Sequence, residues 1–321
     1  MVNMGVCYYR FPVFTLHEKW RVLKRHLELL ALSCCFIFCG QSSKGVESGF
    51  ISSGTIVVID FEDDRILVAA DSRQAGAGVS PESIDRGCKI IPLGEKMFFT
   101  ASARSGAIDE NGTMYIDINK AAITAFDQFR TRKNTSLRAR QIAAEWGDIA
   151  RSEYEEMFRR DPGGFFRELR NGNLAAAAFA GSTDTNELVI YAVFVTYYFR
   201  PEGAMPRTVL KPEIHIDILP WKRLPGSSEP AVWINGSRDR IGVTEFVEAK
   251  TERAITANIA LQGAIQSTPH ADVGALTLEH AIKAAIEWAT YKEEVGGDVD
   301  ILELPRIGHL RWIKAKQECK E

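Results

Sequence analysis

The stretch SSGTIVVIDFEDDRILVAADSR, Ser52 to Arg73, carries two residues of chemical interest at the ends of two short apolar runs. Thr55 opens the first run after Ser-Ser-Gly, and Asp71 closes the second, sixteen residues later, after two alanines. A threonine hydroxyl holds its proton tightly and becomes a nucleophile only with a base within hydrogen-bond reach. A carboxylate at ~4–6 Å from a cation holds that cation charged and in place. Each residue also has an ordinary role, threonine as a good strand former and aspartate as a turn residue at a strand end. The elements that position them decide between these roles.

Both runs are apolar and β-branched, and "EDD" between them makes a turn, so Thr55–Phe61 and Arg65–Asp71 are expected as a strand pair. After a glycine-rich loop, Lys89–Leu93 and Lys96–Ala103 read as a second pair around Gly94-Glu95. Two helices are expected next. Ile116–Arg132 places Ile118, Ala122, Ala125, Phe126 and Phe129 on one face, and Ser136–Arg159 does the same with Ile142, Ala143, Trp146, Ile149, Ala150 and Met157. "NTS" supplies capping residues between them and "DPGG" ends the second. Strands resume at Leu174–Gly181, Glu187–Phe199, Thr208–Ile218 and Val232–Ile234. Helices at about Arg240–Ile265 and Thr277–Glu293 come next, the latter with a stripe of Leu278, Ala281, Ile282, Ala285 and Ala289. Strands Val299–Leu304 and His309–Ile313 close the chain. Helices segregated from strands in this way argue an α+β fold rather than a parallel doubly wound sheet. Two sheets packed face to face with a helix pair outside each would bury every apolar face, giving a four-layer αββα sandwich.

Composition narrows the function classes. The 321 residues are 45% apolar and 25% charged, a normal globular balance, and the formal net charge of −3 favours no nucleic-acid partner. No stretch reaches the ~18–20 apolar residues of a stable membrane span. Cys7, Cys34, Cys35 and Cys39 crowd the first 40 residues, and Cys88 and Cys319 lie far apart in the rest. That spacing gives no disulfide framework and no zinc pair, and Cys88 reads as a small buried side chain. The six histidines are scattered, so no metal site is expected, and no cofactor. Residues 1–50 differ in character from the rest of the chain. A basic segment, Glu18–His26, precedes the apolar LLALSCCFIFCG, Leu29–Gly40, and then a small, polar, glycine-rich stretch. A signal-like or propeptide segment over residues 1–50, with one domain over 51–321, is the expected division. Export to the periplasm or outside would follow if residues 18–40 are a signal, and a cytoplasmic site otherwise. Asn111, Asn134 and Asn235 sit in N-x-Ser/Thr sequons, which matter only in a eukaryotic secretory setting.

From Gly54 to about Ile313 the chain resembles the proteasome β-subunit family of N-terminal nucleophile (Ntn) hydrolases. The resemblance rests on "GTIVVI" followed by "ILVAADSR" at the family's interval, on "CKIIPL", on "NGSRD" at Asn235–Asp239, and on "ATYKEEVGGDVDI" after the fourth helix. It implies that cleavage of Gly54–Thr55 makes Thr55 an N-terminal nucleophile. The freed α-amine, of pKa roughly 7.7–8, would then be its base. It further implies Lys89 as the charge that favours the alkoxide-like hydroxyl, and Asp71 as the group that holds Lys89. Ala103 falls where the family's oxyanion N–H donor lies. Ser237 matches a serine that positions the amine, and Glu293 takes the place of a family aspartate. Val295 stands where the family has a serine, a departure that removes a partner of the amine. Three functions stay open at this point. The first is a threonine-type hydrolase of peptides, the second an Ntn amidase acting on a small amide, and the third a non-catalytic proteasome-like structural or binding protein. The partners implied are a peptide or small amide substrate and copies of the same chain in a homo-oligomer.

Overall fold

A computed structural model of the chain describes residues 49–53, 55–73, 75–76, 85, 87–108, 114–163, 165, 173–202, 209–221, 231–236, 259–268, 270–288 and 295–320. The signal-like segment, the N-terminal cysteines, Asn111, Ser237 and Glu293 lie outside these residues, as does most of the helix expected from Arg240.

The protein is mixed α+β, built on antiparallel sheets with few helices. The strands are β1 (Gly49–Ser53), β2 (Ile56–Phe61), β3 (Arg65–Asp71), β4 (Ala75–Gly76), β5 (Ile90–Pro92), β6 (Met97–Ile108) and β7 (Met114–Asp117). Helices α1 (Ile118–Gln128) and α2 (Ser136–Arg160) come next, then β8 (Asn173–Ser182), β9 (Leu188–Glu202), β10 (Val209–Trp221) and β11 (Ala231–Gly236). The last elements are α3 (Ile259–Ser267), α4 (Val273–Trp288), β12 (Val299–Pro305), β13 (Arg311–Lys314) and a 3-10 turn at Gln317–Cys319. Among the described residues one sheet runs β10-β9-β8-β6-β1-β4, with β5 and β7 also paired to β6. The other runs β11-β2-β3-β12-β13.

Strand alternation divides the core. Val57, Ile59, Phe61, Ile66, Val68 and Ala70 point one way from the β2–β3 hairpin, into a cluster shared with Phe98, Ala178, Ala180 and Ile190 of the other sheet. Their neighbours Ile56, Val58, Leu67 and Ala69 point the opposite way, against Ala275, Leu278, Ala281 and Ile282 of α4. The outer face of the larger sheet packs on α1 and α2, where Trp146 packs against the adjacent rings of Phe99 and Phe179 at 5.5 and 5.9 Å. The buried Trp146 indole N–H donates to the Ile118 carbonyl at 2.9 Å, so the large side chain leaves no orphaned donor.

Several boundaries differ from expectation. The first helix starts at Ile118, not Ile116, because the Asp117 side chain accepts from the Asn119 and Lys120 amides and caps it. Ile116 belongs instead to β7. The fourth helix begins at Val273, four residues early, where Asp272 accepts from the Ala275 amide. Strand β1 was not expected and begins two residues before the anticipated domain boundary. Cys88 is not a lone buried thiol: it is bonded to Cys319, a pairing that sequence spacing gave no reason to expect.

Candidate functional site

The β2–β3 hairpin puts Thr55 at the entry of one strand and Asp71 at the exit of its partner, on the same edge of the sheet. The hairpin register pairs Val57 with Ala70, so the two polar residues flank the last rung. Both are buried, Thr55 at 2% exposure and Asp71 at 0%. The Asp71 carboxylate organises what surrounds it. Its Oδ1 accepts from the Ile56 amide at 2.8 Å and from Lys89 Nζ at 3.0 Å, and its Oδ2 accepts from the Gly296 amide at 2.9 Å. One carboxylate thus fixes the backbone next to Thr55, the Lys89 ammonium, and the loop before β12. A carboxylate buried without such partners would be strongly disfavoured.

Lys89 is only 5% exposed. Burial pushes its pKa below the ordinary lysine value; the charge and hydrogen bond of Asp71 act the other way, while nearby Lys316 and Arg73 add to the fall. Its backbone is held by the Thr100 hydroxyl, which donates to the Lys89 carbonyl at 2.8 Å, and by β5, which pairs with β6 from the next residue.

The loop before β12 is bent to fit. Gly296 and Gly297 have φ of +144° and +73°, which side chains rarely adopt. The Gly296 carbonyl accepts from the Ser72 and Arg73 amides at 3.0 and 2.9 Å. A Cβ on Gly297 would overlap Ser72 Oγ, and one on Gly296 would lie 2.8 Å from Arg73 Cζ. Val295 is buried with Ile56, Val299 and Ile282, so the position that departs from the family's serine carries an apolar packing role here. Arg73 donates from Nε to Asp85 Oδ1 at 2.7 Å, and that bond raises the arginine's pKa and lowers the aspartate's.

Upstream of Thr55, β1 leaves the hairpin's sheet altogether. It lies between β6 and β4, with Ile51 opposite both Gly106 and Gly76, and Ser53 opposite Ala103. The backbone of Ala103 therefore runs beside the chain that leads into Thr55.

Sequence reasoning brought Thr55, Asp71 and Lys89 forward; Lys89 is hydrogen-bonded to the Asp71 carboxylate, and Thr55 precedes Ile56, whose amide donates to the same carboxylate. It missed the backbone partners, Ile56 and Gly296, and the supports Thr100 and Ser72. Backbone partners carry no side-chain signature; the adjacent Gly296-Gly297 was the one available sign of a bent loop. Among the described residues no group of three or more His, Cys, Asp or Glu side chains converges as a metal site would, and no helix is long and apolar enough to cross a membrane. Comparison with family models finds no match to this chain, and comparison with curated proteins finds no relative.

Proposed function

We propose that the chain is a threonine-type Ntn hydrolase of the proteasome β-subunit kind, and that its core clusters are the interfaces of a four-layer αββα sandwich. Cleavage of Gly54–Thr55 frees the Thr55 amine, which takes the hydroxyl proton as Thr55 Oγ attacks a carbonyl carbon. Lys89 supplies positive charge near the developing alkoxide and Asp71 holds Lys89. The Ala103 N–H faces the oxyanion, and Ser237 and Glu293 position the amine. The observation that carries this reading is the Asp71 carboxylate, which accepts from Lys89 Nζ and from the amide of the residue after Thr55.

A peptide substrate is favoured over a small amide by β1. The chain's own residues 49–53 lie as an extended strand between β4 and β6 and lead into the bond to be cut. A groove that pairs with backbone on both sides suits an extended peptide taking the same place by strand addition. The non-catalytic reading draws on Val295, whose buried apolar side chain itself offers the amine no hydroxyl. Assembly of several copies is part of the same proposal.

Intact-mass measurement of the purified protein tests it. The expected chain begins at Thr55, and Thr55→Ala abolishes both processing and peptide hydrolysis. An active protein in which Gly54 stays joined to Thr55 rules out the amine as base and with it this mechanism.

A further inference from the structure

The end of the chain is fastened to the residues that lead into Lys89. Cys88 and Cys319 form a disulfide across 231 residues of sequence, with Cα atoms 5.5 Å apart. Beside it, Lys316 Nζ donates to the Gly87 carbonyl at 3.2 Å and to Asp300 Oδ2 at 2.6 Å, while the Lys316 amide donates to Asp300 Oδ1 at 3.0 Å. Asp300 lies in β12 opposite Ala70, the residue before Asp71. The same short segment therefore touches β12, the strand paired with the one that carries Asp71, and the residues that lead into Lys89. On its C-terminal side Lys89 is fixed by β5 and Thr100. On its N-terminal side the ties among the described residues include the Gly87 amide to the Ser72 carbonyl at 3.0 Å, the Lys316 bond, and the disulfide. Of these three, the disulfide is the one that a change of redox state opens.

We infer that Cys88 and Cys319 are positioning residues for Lys89, and that their oxidation state sets how firmly the ammonium is held on Asp71. The link to activity rests on the proposed role of Lys89 at Thr55. Opening the bond is a thiol–disulfide exchange with a dithiol: its two thiols are oxidised to a disulfide while Cys88 and Cys319 take up two electrons and two protons. The segment before Lys89 then keeps its hydrogen bonds and loses its covalent tie. The buried ammonium, which gains from a fixed geometry on Asp71, is held less firmly.

The test uses the full-length protein, oxidised and after dithiothreitol, with alkylation at Cys88 and Cys319 read by mass to show the state of the pair. Amide hydrogen exchange is followed for peptides covering residues 87–92 and, as an internal control, 139–150 of α2; peptide hydrolysis is measured in parallel. Reduction is expected to speed exchange at 87–92 by about tenfold or more with α2 unchanged. It should lower kcat by about tenfold with KM within about twofold, and reoxidation should restore both. Cys319→Ser should behave as the reduced protein; Cys319→Val, which refills the apolar contact, serves if the serine variant does not fold. Faster exchange at 87–92 with no hydrolysis in either state upholds the positioning inference and removes the hydrolase reading. Unchanged exchange at 87–92, or an equal rise in α2, overturns the inference, because the bond then does nothing local to Lys89.

Discussion

The Asp71–Lys89 pair offers a test of the site's geometry that needs no substrate. Asp71→Asn keeps the shape and removes the charge. Asparagine has one acceptor oxygen, so whichever way the amide turns, its NH2 group faces either the Gly296 amide or the Ile56 amide and Lys89. At least one buried donor loses its acceptor, and the buried Lys89 ammonium loses the carboxylate it is hydrogen-bonded to. Removing one member of a buried pair costs about 3–5 kcal/mol, a large share of the ~5–15 kcal/mol that holds a domain together. Lys89→Met leaves the carboxylate with two amide donors and should cost a similar amount. The double variant leaves neither charge behind, so it should fall short of the summed single losses by about 2–3 kcal/mol. Urea denaturation at pH 7 measures all four proteins. The pH dependence gives a second check. Without Asp71 the Lys89 pKa falls further below its unfolded value of 10.5. The folded state then binds fewer protons than the unfolded state in that window, so stability rises with pH there. The deficit of Asp71→Asn relative to the wild type should narrow as pH rises toward the unfolded lysine value of 10.5. Single losses that add to within ~0.5 kcal/mol would refute the shared contact.

The same structure sets three other outcomes. On the proposed mechanism, Lys89→Ala should slow peptide hydrolysis by several orders of magnitude, each tenfold loss being ~1.4 kcal/mol of transition-state stabilisation, measured against a fluorogenic peptide. Gly297→Ala should destabilise by about 1–3 kcal/mol, since the backbone at φ +73° and the overlap with Ser72 Oγ both oppose a Cβ; a denaturation curve unchanged from wild type would argue against this loop geometry. Glu153 is pushed up to about 7, mainly by burial, so its ionised form is disfavoured in the folded state. Its folded pKa lies above the unfolded one, so wild-type stability falls as pH rises through that interval and then levels. Glu153→Gln should therefore gain in melting temperature over wild type at pH 8 and show little gain at pH 5.

Much of the fold was legible because its elements carry local signals. The β2–β3 hairpin is two β-branched runs around an acidic turn, and α2 keeps one apolar stripe from Ala139 to Met157. The edges were less legible: a single capping side chain, Asp117 or Asp272, moved each helix start away from where the apolar periodicity pointed. Strand β1 was invisible because Gly49–Ser53 is glycine- and serine-rich; it is a strand only through its neighbours β6 and β4. Thr55, Asp71 and Lys89 were brought forward by the resemblance of their spacing to the proteasome β-subunit pattern, not by any one residue's chemistry. The donors to Asp71 and the Cys88–Cys319 bond were missed for a different reason. They join residues up to 231 positions apart, and such pairings leave no mark in the spacing of either partner.

The Asp71 carboxylate has a further consequence for the order of events during biosynthesis. Its Oδ2 partner, Gly296, lies 225 residues downstream, and β3, which carries it, finds one of its two neighbours in β12. A nascent chain that has made Thr55, Asp71 and Lys89 still lacks the strand that closes the sheet beside them. Until translation has passed Gly296, the carboxylate has no backbone clamp on that side. On the proposed mechanism, release of the Thr55 amine is thereby postponed until nearly the whole domain exists. On that reading, an enzyme able to attack unfolded chains would be kept inert while it is itself unfolded, and a prematurely ended copy would be silent for want of a strand it never received.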